Sequence, residues 1–154
     1  MTTTTHPFAA IILAAGKGTR MKSDTHKVLH KIAGHAMLEH LMASVAELGP
    51  ERTAVVVGAG REQIEKAVGD RAVTCLQEPQ LGTGHAVQQA EGALEGFTGD
   101  VLVLYGDVPF VKAGTMRAML ERLHSADAPA VVVLGFEPAD PLAYGRVIAD
   151  DAGS

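Results

Sequence analysis

Gly16-Lys17-Gly18-Thr19-Arg20 and, a little further on, Lys27 are the first residues of this 154-residue chain whose types and spacing suit chemistry. Two glycines directly after an apolar run let backbone N–H groups approach a phosphate with no Cβ in the way. Arg20 can fork two oxygens of one phosphate, whereas Lys27 supplies a compact point charge. The pair suits a triphosphate that must be both oriented and neutralised. The segment is not a dinucleotide fingerprint, because Met21 stands where the third glycine belongs. Nor is it a P-loop, because Ile11 stands where the first glycine belongs. A solvated basic loop is the competing reading of the same residues.

Two later segments add complementary groups. Tyr105-Gly106-Asp107-Val108-Pro109 offers a carboxylate of the kind that holds a hard cation such as Mg²⁺, which takes one or two protein carboxylates and completes its shell with substrate phosphates. Asp107 also reads as an ordinary turn residue ahead of Pro109. In Gln77-Glu78-Pro79-Gln80-Leu81-Gly82-Thr83-Gly84-His85, the Gln77 amide can pair with a base edge, and Gly82-Thr83 can present backbone amides at the start of a helix. Thr83 serves equally as a simple helix cap. His85 reads as structural, since the seven histidines show no metal-ligand spacing.

These loops need a frame to bring them together. The apolar run 8–15 ending at Gly16 reads as a strand buried on both faces. Residues 36–48 place Met37, Leu38, Leu41, Val45 and Leu48 on one helical face, and Gly49-Pro50 stops that helix. The alternation continues with a strand at 53–57, a helix at 61–68, a strand at 72–76, a helix at 84–95, a strand at 101–105 and a helix at 114–124. That last helix turns Met116, Met119, Leu120 and Leu123 inward. A fifth strand is expected at 130–134 and a sixth at 145–149. Strands alternating with helices imply right-handed crossovers and a mostly parallel α/β sheet covered on both faces. Ligands bind beyond the carboxyl ends of such strands, which is where the three segments fall.

Composition narrows the choice of ligand. The net charge of −5 argues against a protein that coats nucleic acid. Positive charge is nonetheless concentrated, because Lys17, Arg20, Lys22, Lys27 and Lys31 share a short window whose single acid is Asp24. The single Cys75 lies in an apolar run and reads as a small buried hydrophobe in a reducing cytoplasm. The N-terminal residues lack the basic region of a signal peptide, and no apolar run approaches the ~20 residues of a membrane span. No repeat or linker suggests a second domain. Because the chain stops just after an expected strand, truncation of a longer protein is expected.

At these loops the sequence resembles the uridyltransferase domain of bacterial N-acetylglucosamine-1-phosphate uridyltransferase, a domain usually fused to a glucosamine-1-phosphate acetyltransferase. The resemblance runs from Ile11 to about Ile148. It is carried by Leu13-Ala14-Ala15-Gly16-Lys17-Gly18-Thr19-Arg20-Met21, by Lys27-Val28-Leu29-His30, and by Gln77 with Leu81-Gly82-Thr83-Gly84-His85-Ala86. Tyr105-Gly106-Asp107-Val108-Pro109 and Asp140-Pro141 with Tyr144-Gly145-Arg146 complete it. It implies a Rossmann-like fold of the nucleotide-diphospho-sugar transferase type and a single nucleotidyltransferase domain over residues 1–154, incomplete at its C-terminal end. The implied reaction joins UTP and N-acetylglucosamine-1-phosphate to give UDP-N-acetylglucosamine and pyrophosphate, with Mg²⁺ as cofactor.

By the same resemblance, Leu13, Ala14, Ala15 and Gly16 contact the nucleotide, and Arg20 and Lys27 act on its phosphates as the catalytic charges. Gln77, Gly82 and Thr83 read uracil. Tyr105, Gly106 and Asp107 meet the nucleotide sugar and the metal, with Asp107 as metal ligand, and Gly145 touches the amino sugar. A second metal ligand, an Asn, falls beyond residue 154, as does the part that carries acetyl transfer and homotrimer assembly. The resemblance further implies a cytoplasmic enzyme of cell-wall and lipopolysaccharide precursor synthesis, with neither nucleic acid nor membrane as partner. The alternatives are a nucleotidyltransferase of the same superfamily with another nucleoside triphosphate or acceptor, and a nucleotide-binding piece without turnover.

Overall fold

Phe8–Leu13, an unbroken apolar run, is a strand with five of its six residues buried and forms the centre of the sheet (β1). The computed structural model describes residues 6–16, 18 and 21–148. After a 3-10 turn at Lys27–Leu29 come a small antiparallel hairpin, Lys31–Ile32 (β2) and His35–Ala36 (β3), and the helix Met37–Ala46 (α1). Arg52–Val57 (β4), Glu62–Val68 (α2), Val73–Leu76 (β5), Thr83–Gln88 (α3), Asp100–Tyr105 (β6) and Ala113–Leu123 (α4) follow in turn. The main sheet has the order β5-β4-β1-β6, and every neighbouring pair is parallel.

From β1 the chain moves outward through β4 to β5, then returns to the other side of β1 for β6. The strand order therefore reverses between β1 and β6, and a crevice opens beyond their carboxyl ends. The same reversal sets the layers. Steps β1 to β4 and β4 to β5 run one way, so right-handed crossovers put α1 and α2 on one face, whereas the step from β5 to β6 runs back and puts α3 on the other. The packing agrees. Phe8, Ala10 and Ile12 of β1 join Leu38, Leu41 and Val45 of α1, Ile64 and Val68 of α2, and Met116 and Leu120 of α4. Ile11 meets Ala54 and Val56 of β4 with Ala86 and Ala90 on the opposite face, where Cys75 packs too. Cys75 is only half-buried rather than buried as expected, yet partial burial pushes its thiol pKa up and keeps it neutral.

The six-residue α3 leaves much of that second face open. Val101, Val103 and Tyr105 of β6 are exposed while Leu102 and Leu104 are buried. The helix expected over 84–95 breaks at Gln88 and resumes as a 3-10 turn at Gly92–Leu94, consistent with glycine's poor helix propensity. In α1, Met42 rather than Met37 is buried; in α4, Met119 and Leu123 are only half-buried.

The expected strands at 130–134 and 145–148 are not strands, and residue 149 lies outside the described residues. Val131, Val133 and Leu134 have the β-branched and apolar character of a strand, but β6 pairs with β1 alone among the described residues. The outer edge of β6 has no partner strand among the described residues, and propensity without actual pairing makes no ladder. The β2–β3 hairpin was not anticipated, because two-residue strands carry too little periodicity to read. No helix among the described residues is long and apolar enough to cross a membrane.

Candidate active site

A cleft of about 600 Å³ lies in the crevice beyond the carboxyl ends of β1, β5 and β6. The end of β1 and the segment after it contribute Leu13, Ala14, Ala15, Gly16 and Gly18, and the segment after β5 contributes Gln77, Gln80, Gly82 and Thr83. Tyr105 ends β6 and Asp107 follows it, and Lys27 completes this part of the lining. Register explains the convergence. Leu13 lies level with Val56 on one side and Tyr105 on the other, so the loops that follow emerge side by side.

Gly106 sits behind the lining, where its N–H donates to the Leu13 carbonyl at 2.9 Å and carries the β1–β6 pairing one step past the strands. Gly145 is not brought to the cleft; it lines a separate hollow with Phe136, Pro141 and Tyr144. Arg20 lies outside the described residues, as do Lys17 and Thr19. Of the other two lysines in the basic window, Lys22 and Lys31 are exposed and do not line the cleft.

Lys27 Nζ donates to Asp107 Oδ2 at 2.6 Å, joining residues 80 positions apart. Both side chains are partly exposed, at 39% and 35%, so this ion pair contributes little to folding. Gly18 shapes the approach to Lys27. Its φ is +57°, and a methyl group on its Cα would lie 2.6 Å from Lys27 Cβ. The glycine therefore serves both a left-handed turn and a close approach, and any other residue would push the lysine stem away. Asp107 can hold a hard cation without further protein ligands, which is how such ions are often bound beside phosphates. No group of three His, Cys, Asp or Glu residues that could cage a metal occurs among the described residues.

The turn after β5 is braced from within. Gln77 is buried, at 4% exposure, and its Nε2 donates to the Gly82 carbonyl at 2.9 Å and lies 3.2 Å from His85 Nδ1. The Gly82 acceptor fixes which end of the amide is nitrogen, and so leaves the Gln77 oxygen as an acceptor. His85 Nε2 lies 3.2 Å from Gln89 Nε2, so the imidazole is a spacer between two amides, in keeping with a structural reading.

Gln80, in the same turn, has no role that its sequence context marks. Its side chain lines the cleft and donates to the Ala15 carbonyl, tying the turn after β5 to the loop after β1. Nothing in the sequence marks that reach of 65 positions.

His26, next to Lys27, is 9% exposed, and neither ring nitrogen has a hydrogen-bond partner among the described residues. Burial pushes its pKa below 6.5, since a charged imidazole loses hydration there. The sign follows from proton counting. Once the pH falls to about 6.5 the unfolded imidazole takes up a proton that the folded one refuses, so stability drops on acidification until the folded pKa is passed. His26→Leu is expected to flatten this acid loss in thermal melts from about pH 7.5 to about pH 5. A variant that loses stability along the parent's curve would remove His26 burial as the cause.

A family model described as the MobA-like NTP transferase domain matches residues 10–153. Over 145 residues the chain is 74% identical to Bifunctional protein GlmU of Novosphingobium aromaticivorans, an alignment covering 94% of this chain and 32% of that protein. The chain spans about a third of the length of the curated relatives it matches. In fold it is similar to a nucleotidyl transferase from Methanothermobacter, with TM-score 0.62, 24% identity, and coverage of 75% of this chain and 57% of the other. It is also similar to Rv0371C of Mycobacterium tuberculosis, solved in complex with manganese, with TM-score 0.62, 17% identity, and coverage of 75% and 58%. The sheet and its neighbours are those of the nucleotide-diphospho-sugar transferase fold. With the family model running across every loop that lines the cleft, this chain belongs to the MobA-like NTP transferase domain family.

Proposed function

We propose that this chain is the uridyltransferase portion of an enzyme that forms UDP-N-acetylglucosamine and pyrophosphate from UTP and N-acetylglucosamine-1-phosphate. The observation that carries the reading is the Lys27–Asp107 pair, set at the β1–β6 crevice in one cleft with Gln77, Gly82 and Thr83. The 74% identity to a protein named GlmU supports it.

In this reaction an oxygen of the sugar phosphate bonds to the α-phosphorus of UTP while the bond from that phosphorus to the pyrophosphate oxygen breaks. The nucleophile is already anionic at neutral pH and needs no general base. Catalysis therefore rests on alignment and charge. Lys27 exchanges Asp107 for phosphate oxygens, a cheap exchange for a partly exposed pair, and offsets charge on the departing pyrophosphate. Arg20 has the same role in this reading. Asp107, released from the lysine, would hold Mg²⁺, which when bound supplies positive charge to the phosphate oxygens. Leu13 to Gly16 line the nucleotide's path, and the Gln77 oxygen accepts from a base N–H, as uracil N3 provides. Tyr105 and Gly106 belong to the sugar side. The amino-sugar contact of Gly145 rests on the resemblance alone. The same reading makes the product a peptidoglycan and lipopolysaccharide precursor made in the cytoplasm, and the longer protein a homotrimer.

Titration with UTP and with CTP, each with and without Mg²⁺, and a pyrophosphate-release assay test the reading. Preference for CTP, or no Mg²⁺-dependent binding of UTP, would overturn it. Asp107→Asn keeps the side-chain shape but removes the charge, and is expected to lower Mg²⁺-dependent UTP affinity by roughly tenfold or more. Its melting temperature should hardly change, since the Lys27 pair is worth about 1 kcal/mol or less. An unaltered Mg²⁺ dependence by calorimetry would withdraw the metal assignment.

A further inference from the structure

Lys27 is presented to the cleft by a short, irregular segment, residues 22–26, which belongs to no strand or helix. Such a segment has many conformations available, and fixing one residue costs roughly 1–2 kcal/mol in backbone entropy. Something must hold it if the lysine is to arrive where Asp107 meets it. The glycine-rich turn limits the space around Lys27 Cβ but makes no hydrogen bond to residues 24–26 among the described residues.

The hold comes from α2. Gln63 Oε1 accepts the His26 N–H at 3.1 Å, and Gln63 Nε2 donates to the Asp24 carbonyl at 2.9 Å. One primary amide thus satisfies an N–H and a C=O two residues apart, as a neighbouring strand would. Its two ends cannot be swapped, because the N–H needs an acceptor and the C=O a donor. The clamp spans 37 and 39 sequence positions and grips the chain immediately before Lys27. The His26 ring is buried, and neither ring nitrogen has a hydrogen-bond partner among the described residues, so the ring supplies packing and the Gln63 amide supplies direction. Gln63 itself is exposed and does not line the cleft; it lines a neighbouring hollow with Ser23, Asp24, Thr25 and His26.

We infer that Gln63 is a positioning residue for Lys27: by clamping the backbone of Asp24 and His26 it sets the lysine ammonium at the place where nucleotide phosphates are received. The inference rests on the reading of Lys27 as a phosphate-binding group.

A double-mutant cycle tests both and separates their failures. UTP affinity in the presence of Mg²⁺ is measured by calorimetry on the parent chain, Lys27→Ala, Gln63→Ala and the double variant. Alanine on an exposed helical position is favourable to the helix, so Gln63→Ala should melt within a few degrees of the parent. The expected result is a loss of roughly tenfold for Lys27→Ala and roughly fivefold for Gln63→Ala, with the double variant no weaker than Lys27→Ala alone. Gln63→Glu, which keeps the acceptor for His26 but sets a carboxylate oxygen against the Asp24 carbonyl, should bind no better than Gln63→Ala. Parent-like affinity in Lys27→Ala would overturn the phosphate-binding reading and this inference with it. A loss in Lys27→Ala with parent-like affinity in Gln63→Ala would overturn the clamp alone. Losses that multiply in the double variant would mean that Gln63 acts on stability or elsewhere, which also overturns it.

Discussion

Lys27→Ala is expected to lower turnover by roughly 10² or more while leaving the fold intact. The size follows from what the ammonium does in the proposed reaction. Negative charge shifts onto the pyrophosphate as its bond to the α-phosphorus breaks, and a fixed positive charge in a cleft is worth more there than in bulk water. The neutral fold does not depend on it, because the Asp107 pair is partly exposed and contributes about 1 kcal/mol or less. Lys27→Met separates charge from packing, since it keeps the stem that lies against Gly18 and loses only the ammonium. It should be as slow as Lys27→Ala. Lys27→Arg should not restore the rate, because a planar fork cannot stand in for a compact point charge at a site shaped around a lysine stem. Steady-state pyrophosphate release decides it: turnover within a few-fold of the parent in Lys27→Met would remove the lysine from the chemistry.

How much of this site could be read beforehand depended on whether the signal was local. Phe8–Leu13 was legible because a strand buried on both faces is apolar at every position, and α1 because its apolar residues recur at helical spacing. Asp107 was legible as a candidate from its place at a strand's end. Its contact with Lys27 was not, because that depends on β6 crossing back to pair with β1 in the register that sets Leu13 beside Tyr105.

The misreadings have the same origin. Residues 130–134 look like a strand in isolation, but a strand exists only where it pairs, and pairing is decided outside any local window. Gln63 was illegible for the opposite reason. A glutamine on a helix's polar face looks the same whether it meets water or grips a loop 37 residues away. Of the described lysines in the basic window, Lys27 lines the cleft, whereas Lys22 and Lys31 face solvent.

Gly58→Ala is expected to damage nucleotide binding through the backbone rather than through any side chain that touches the ligand. Gly58 directly follows β4, and a methyl group on its Cα would lie 2.6 Å from the Ala15 carbonyl oxygen and closer still to Gln80 Nε2. Gln80 is a flexible side chain and can withdraw. Ala15 cannot, because its carbonyl belongs to the loop that emerges from β1, where Ala14 N–H is already bonded to the Val56 carbonyl at 2.8 Å. Overpacking of this kind costs about 1–3 kcal/mol, and part of the strain must be relieved by shifting the loop that lines the cleft. A shift of a few tenths of an ångström in backbone groups proposed to line the nucleotide's path should weaken UTP binding by roughly tenfold, with a melting temperature several degrees below the parent's. Two further variants locate the cause. Gln80→Ala alone removes the tie to Ala15 without any clash, and Gly58→Ala combined with Gln80→Ala removes one of the two collisions. If Ala15 is the decisive neighbour, the double variant stays as weak as Gly58→Ala. Affinity recovered to that of Gln80→Ala would show that the glycine is needed only to make room for the glutamine.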